Sequence, residues 1–207
     1  GNITTGNINL TGGTITLGTA VRIWFVKGSS NFIGGSSANP TFSGGASTTL
    51  TIDLPVPTIL QVITLGPLEP TWPGPFSITN NGGLSEAVKF TGGNFRVSGN
   101  VTFNTGSTSS LVTLDGSKLY IIGASSFTNT SGYQTMNNGL LSMSASTGNQ
   151  NVGGAGGFGD FEVNTGTAAA YSAVFQGGIG TFQGNFYLTT GTADDVLGAE
   201  VPFYQIG

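Results

Sequence analysis

Apolar residues along this chain recur at every second position, in short runs, and almost never at helical spacing. In Asn7-Ile8-Asn9-Leu10-Thr11 the alternation is that of a strand with one buried face. It resumes at Thr14, where Ile15, Leu17, Thr19, Val21, Ile23 and Phe25 share one side, while Trp24 and Val26 make the other side partly apolar. Leu50, Ile52 and Leu54 mark a strand over Thr48 to Leu54, and Ile59 to Leu65 form another. Phe95/Val97, Val101/Phe103, Leu111 to Leu114, Leu119 to Ile122, Phe161/Val163 and Phe186/Leu188 supply further strand cores. Only Leu84 to Phe90 and Thr167 to Val174 are short helical candidates. The pattern predicts an all-β chain.

Turn chemistry divides these strands. Asp115-Gly116 between two apolar runs predicts a type I′ hairpin. Gly12-Gly13 suits either a hairpin turn or a hinge, since positive φ costs glycine nothing. Residues 28–47 read as loop around Asn31-Phe32-Ile33. Six of the eight prolines fall between Pro55 and Pro75, and each withholds a ladder donor. Residues 66–75 are therefore expected to be a stiff connection, pinned by Trp72, between two sub-units of a body spanning 14–207, with residues 1–13 as tail and hinge.

One phrase recurs, glycine, then Asn or Asp, then apolar–x–apolar. It stands at Gly6 to Leu10, Gly93 to Val97, Gly99 to Phe103, Gly159 to Val163 and Gly184 to Leu188. A solenoid calls for a fixed period, and these intervals are irregular. The phrase thus reads as turn followed by strand, which favours an antiparallel sandwich over a β-helix without excluding the latter. The expected architecture is an antiparallel β-sandwich, Ig-like or jelly-roll-like, with an extended N-terminal strand that pairs in its own sheet or is donated to a neighbour's.

Composition narrows the chemistry. Only 7% of the residues are charged, against about 25% in ordinary domains. The net charge is −4 and the five basic residues are scattered, so nucleic acid is an unsuitable partner. No basic amphipathic stretch or long apolar run predicts membrane insertion. Cysteine and histidine are both absent, which removes thiolate zinc sites, the commonest metal ligand and the commonest general base. A chain with so few ionisable groups is expected to tolerate acid. Ser and Thr make up about a quarter of the residues. With 36 glycines and a first residue other than Met, this composition suggests a processed extracellular protein.

Candidate chemistry is sparse. Asp194, Asp195 and Glu200 could offer carboxylates to Ca²⁺, but adjacent Asp residues usually serve as solvated turns, and no metal is expected. Asp160 and Glu162 share one side of a strand, whereas a glycosidase needs its carboxyls placed across a cleft. No Ser-x-x-Lys phrase or phosphate loop occurs. The chain is expected to be no enzyme and to need no cofactor. Glycan acceptor triplets begin at Asn2, Asn9, Asn100 and Asn129, of which Asn100 and Asn129 are the better candidates.

These features together resemble the subunits of archaeal thread filaments from Sulfolobus-type thermoacidophiles. The resemblance rests on the uncharged Gly1–Thr11 strand, the Gly12-Gly13 joint, the Ser/Thr/Gly-rich β body and the missing Cys and His. It implies glycosylated extracellular fibres with a role in adhesion or biofilm, in which each subunit inserts its first strand into the next copy. Ile3, Ile8 and Leu10 would then be the donor-strand contacts, and Gly12 and Gly13 the hinge. Two other readings stay open: a phage tail-fibre or receptor-binding protein with a trimeric shaft, and a secreted carbohydrate-binding module using Trp24, Trp72 or Tyr133.

Overall fold

The structure, a computed structural model, describes residues 2–10, 14–26, 30–35, 41–54, 60–66, 71–80, 86–106, 110–144, 150–154, 156, 159–164, 172–176, 184–189 and 196–199. Its strands are, in chain order, β1 (Ile3–Thr5), β2 (Ile8–Leu10), β3 (Thr14–Leu17), β4 (Arg22–Val26), β5 (Ser30–Gly35), β6 (Thr41–Gly44), β7 (Thr48–Leu54) and β8 (Gln61–Leu65). There follow β9 (Thr71–Trp72), β10 (Phe76–Asn80), β11 (Glu86–Gly92), β12 (Asn94–Val97), β13 (Val101–Asn104), β14 (Leu111–Asp115), β15 (Lys118–Ile122) and β16 (Phe127–Asn129). The last are β17 (Gly132–Met136), β18 (Leu140–Ser144), β19 (Gln150–Gly153), β20 (Phe161–Asn164), β21 (Ser172–Gln176), β22 (Phe186–Thr189) and β23 (Val196–Ala199).

Every described pairing is parallel, and consecutive strands lie in different sheets. The first sheet runs β1-β4-β7-β10-β13-β16-β19-β21-β23, the second β2-β5-β8-β11-β14-β17, and the third β9-β12-β15-β18-β20-β22, with β3-β6 paired separately. The chain is a β-solenoid, and from β4 to β18 it completes five turns of three strands each. The nine rungs of the first sheet, stacked at about 4.8 Å each, extend roughly 38 Å.

This overturns the antiparallel sandwich with a free donor strand. Parallel neighbours need a crossover, and here the rest of each turn supplies it. Residues 3–5 and 8–10 are rungs of the chain's own coil, β1 in register with β4 and β2 with β5. Asp115-Gly116 is a corner rather than a hairpin: Gly116 has φ +71°, and β14 and β15 belong to different sheets. The alternation from Thr14 to Val26 is two strands on two faces, broken by a bend that leaves Val21 85% exposed. Both helical candidates contain strand, β11 and β21. Thr71-Trp72, inside the proline-rich stretch, is a short strand paired with β12, and Pro67 to Pro70 lie outside the described residues.

The interior is built from stacked like positions. Leu50, Phe76, Val101, Phe127, Val152 and Phe175 succeed one another in register on the first sheet and are all buried. Phe95, Leu119, Leu141 and Phe161 do the same on the third. Aromatic contacts join neighbouring turns, such as Phe103–Phe127 at 5.1 Å and Phe161–Phe186 at 6.1 Å. Trp72 fills the corner, its indole N–H donating to the carbonyls of Thr48 and Pro75. The recurring glycine phrase marks corners where one turn presses on the turn beneath. A Cβ on Gly93 would lie 2.0 Å from the Gly66 carbonyl oxygen, and one on Gly99 would lie 2.3 Å from the Gly74 carbonyl carbon.

Candidate functional site

Residues singled out in the sequence scatter over the coil. Ile3 is 42% exposed on β1, whereas Ile8 is buried in the core. Leu10 and Asn9 pair through their backbones with Gly35 and Gly34. Gly12, Gly13, Asp194, Asp195 and Glu200 lie outside the described residues. Asn2 is exposed, and its side-chain oxygen accepts from the Ile23 N–H. Asn100 is likewise exposed and accepts from the Ser126 N–H at 2.9 Å. Asn129 is fully buried, accepting from the Ser131 N–H at 2.9 Å. A glycan on that amide would have no room in the folded coil. Trp72 and Tyr133 are buried too, so neither is an exposed sugar platform.

The outer face of the third sheet brings together groups that are distant in sequence. Inward-pointing Phe95, Leu119, Leu141 and Phe161 alternate with outward positions, where Arg96, Tyr120, Ser142, Glu162 and Tyr187 stand in register across five rungs. The Arg96 guanidinium lies 4.6 Å from the centre of the Tyr120 ring, a cation–π contact. The Ser142 hydroxyl donates to Glu162 Oε2 at 2.5 Å. Tyr187 comes next and is 45% exposed.

Beside this ladder is an open cleft of about 280 Å³, lined by Lys118, Asn138, Leu140, Asp160, Glu162 and Tyr187. Its Asp160 corner is fixed from several sides. The Tyr133 hydroxyl donates to the Asp160 carbonyl at 2.8 Å, and the Asp160 N–H donates to the Thr135 hydroxyl at 2.8 Å. Asp160 Oδ1 accepts from the Asn185 N–H at 2.8 Å. Burial, and then the nearby Asp160 charge, push the Tyr133 phenol well above its ordinary value, so it stays protonated and donating. Asn138 reaches the rim because Asn137 and Asn138 both take left-handed backbone, with φ of 51° and 63°.

Sequence alone offers Asp160 and Glu162 no cleft, and the coil supplies one. Lys118, Asn138 and Tyr187 escape sequence reasoning as site residues. The rung register accounts for Tyr187, which occupies the same position as Ser142 and Glu162 on successive turns, whereas Lys118, paired with Leu140, and Asn138, in the turn before β18, come in from the strand ends. Among the described residues no group of three or more acidic side chains is placed to hold a metal. No family model, no curated protein and no solved structure matches this chain.

Proposed function

We propose that this chain is a structural rod, a subunit of an extracellular fibre whose copies stack head to tail along the coil axis. One observation carries the reading. At the same end of the coil, β1, β2 and β3 each stand last in their sheet among the described residues. Their sequences, Ile3-Thr4-Thr5, Ile8-Asn9-Leu10 and Thr14 to Leu17, hold no charge, and no proline or register break interrupts them. Sheet edges are ordinarily blunted by lysine, proline or bulges, because bare amides and carbonyls template another strand. An edge without such devices on three faces at once suits addition of another coil by backbone pairing. Repetition of that unlike-end contact gives an open assembly. The extracellular assignment draws on the Ser/Thr-rich, charge-poor composition and on the exposed acceptors Asn2 and Asn100.

The mode differs from strand donation, since the first rungs remain in their own coil and offer only their outer edge. Sedimentation velocity and negative-stain microscopy test it. Rods that lengthen with protein concentration support it, and Thr4→Lys/Thr16→Lys, at two exposed edge positions, should leave monomers with an unchanged melting temperature. A wild type that stays monomeric at every concentration, or closes into discrete trimers, overturns it.

A further inference from the structure

We infer that the cleft on the third sheet is a binding site for a neutral oligosaccharide lying along the ladder of rungs, with Tyr187 as its stacking platform. The cleft belongs to the outer face alone, and its role is independent of how copies assemble.

The lining selects the ligand class. Tyr187 presents a ring 45% open to solvent at one side of the cleft. An aromatic ring offers an electron-rich face with a polar handle, and the C–H face of a pyranose is its complement. The remaining polar lining mixes acceptors and donors: Asp160 and Glu162 carboxylates, the Asn138 amide and the Lys118 ammonium. Vicinal hydroxyls, each both donor and acceptor, match such a mixture. The volume, near the low end for small-molecule sites, fits one sugar ring rather than a larger cofactor.

The same lining disfavours other ligands. Two carboxylates face a single ammonium, so a phosphate or a polyuronate would meet net repulsion. A divalent cation would find Glu162 already accepting from Ser142, Asp160 already accepting from Asn185, and Lys118 beside them. A purely apolar ligand would strand the charged groups.

The coil also sets the direction. Outward side chains repeat about every 4.8 Å along the axis, close to the length of one pyranose residue in an extended glycan. A chain seated on Tyr187 and Glu162 would therefore run along the outer face toward Tyr120, two rungs beyond Glu162, passing over Ser142, which is fully buried and contributes only through its hydrogen bond to Glu162. The hydrogen bonds that pin Asp160 and Glu162 exist before any ligand arrives, so little ordering is required on binding.

The test is isothermal titration calorimetry of the full chain with cello-, xylo-, manno- and maltohexaose, with polygalacturonate and CaCl₂ alone as comparators. At least one neutral hexaose should bind in the micromolar to millimolar range. Tyr187→Ala and Glu162→Gln should each weaken it at least tenfold, while circular dichroism and the melting temperature of both variants stay as in the parent. Val21→Ala, an exposed site on another part of the coil, should leave binding unchanged. Absence of heat with all four hexaoses, or binding that survives both cleft substitutions, overturns the inference. Preferential binding of polygalacturonate or of calcium alone overturns the assignment to neutral sugars.

Discussion

Truncating Phe127 to alanine probes the stacking of turns at its centre. Phe127 is fully buried, meets Phe103 edge-on at 5.1 Å and stacks on Phe161 at 6.4 Å. Both partners are remote in sequence and lie on a neighbouring rung or across the interior, so the three rings bind successive turns together. Phe→Ala in a close-packed core costs about 3–5 kcal/mol, as transfer free energy plus a residual cavity. For a chain of this size each kcal/mol lowers the melting temperature by about 2–4 °C, so Phe127→Ala should melt about 6–20 °C earlier. The more specific quantity is the coupling to Phe103, since an edge-to-face pair contributes about 0.5–1.5 kcal/mol beyond area. Urea unfolding of Phe103→Leu, Phe127→Leu and the double variant isolates it. In a solenoid, stability is a sum of turn and interface contributions, so the loss should concentrate in the turns around β13 and β16, as amide exchange would show. A loss below about 1 kcal/mol for Phe127→Ala, or a coupling near zero, would refute the stacked interior.

Other outcomes follow from single positions. Gly99→Ala drives a Cβ into the Gly74–Pro75 backbone and should destabilise by about 1–3 kcal/mol. Gly18→Ala meets nothing within 4 Å and should be neutral or stabilising by about 0.4–1 kcal/mol, so the two melting curves must move in different senses or amounts. Tyr133 titrates higher when folded than the ordinary tyrosine range, so its stabilising contribution is complete below about pH 10 and is lost as pH rises through the folded value; Tyr133→Phe should flatten that alkaline limb in pH-dependent melts. Asp115 behaves oppositely. The Lys89 ammonium at 2.9 Å, and then the Asn137 amide, hold its carboxyl below the usual range, so its contribution is present above about pH 4 and lost as pH falls through the lower folded value. Asp115→Asn should remove the acid dependence it contributes. Peptide mapping of glycosylated material should find sugar at Asn100 or Asn2 and none at Asn129, and an occupied Asn129 would contradict its buried place.

The strand content was legible because period-2 alternation survives any sheet arrangement. Topology was hidden by three features. Same-face positions on the first sheet, such as Leu50, Phe76, Val101, Phe127, Val152 and Phe175, do recur at nearly even spacing. The glycine phrases sample different corners, however, so Gly93 and Gly99 bracket one strand instead of marking successive turns. Corner loops also differ in length, and the register partners Ile33 and Leu65 stand farther apart in sequence than any neighbouring pair in that series. Asp115-Gly116 and Asn138-Gly139, which read as hairpin signals between antiparallel strands, here turn the chain between faces, with left-handed backbone at Gly116 and Asn138. The cleft was illegible for a related reason. The sequence sets Glu162 near Asp160, its neighbour along the strand, but not beside Ser142 and Tyr187, its neighbours across the ladder.

The most direct measurement of the parallel coil uses the absence of native cysteine. Thr102 and Thr128 are register partners on the outer face of β13 and β16, about 4.8 Å apart at their Cα atoms, within the window for a disulfide. Ser77 and Thr128 are two rungs apart, about 9.6 Å, and beyond it. Mild oxidation of Thr102→Cys/Thr128→Cys should therefore give an intramolecular disulfide in high yield, and Ser77→Cys/Thr128→Cys should give none. Failure of the first pair to close, or equal closure of both, would contradict the in-register parallel stack.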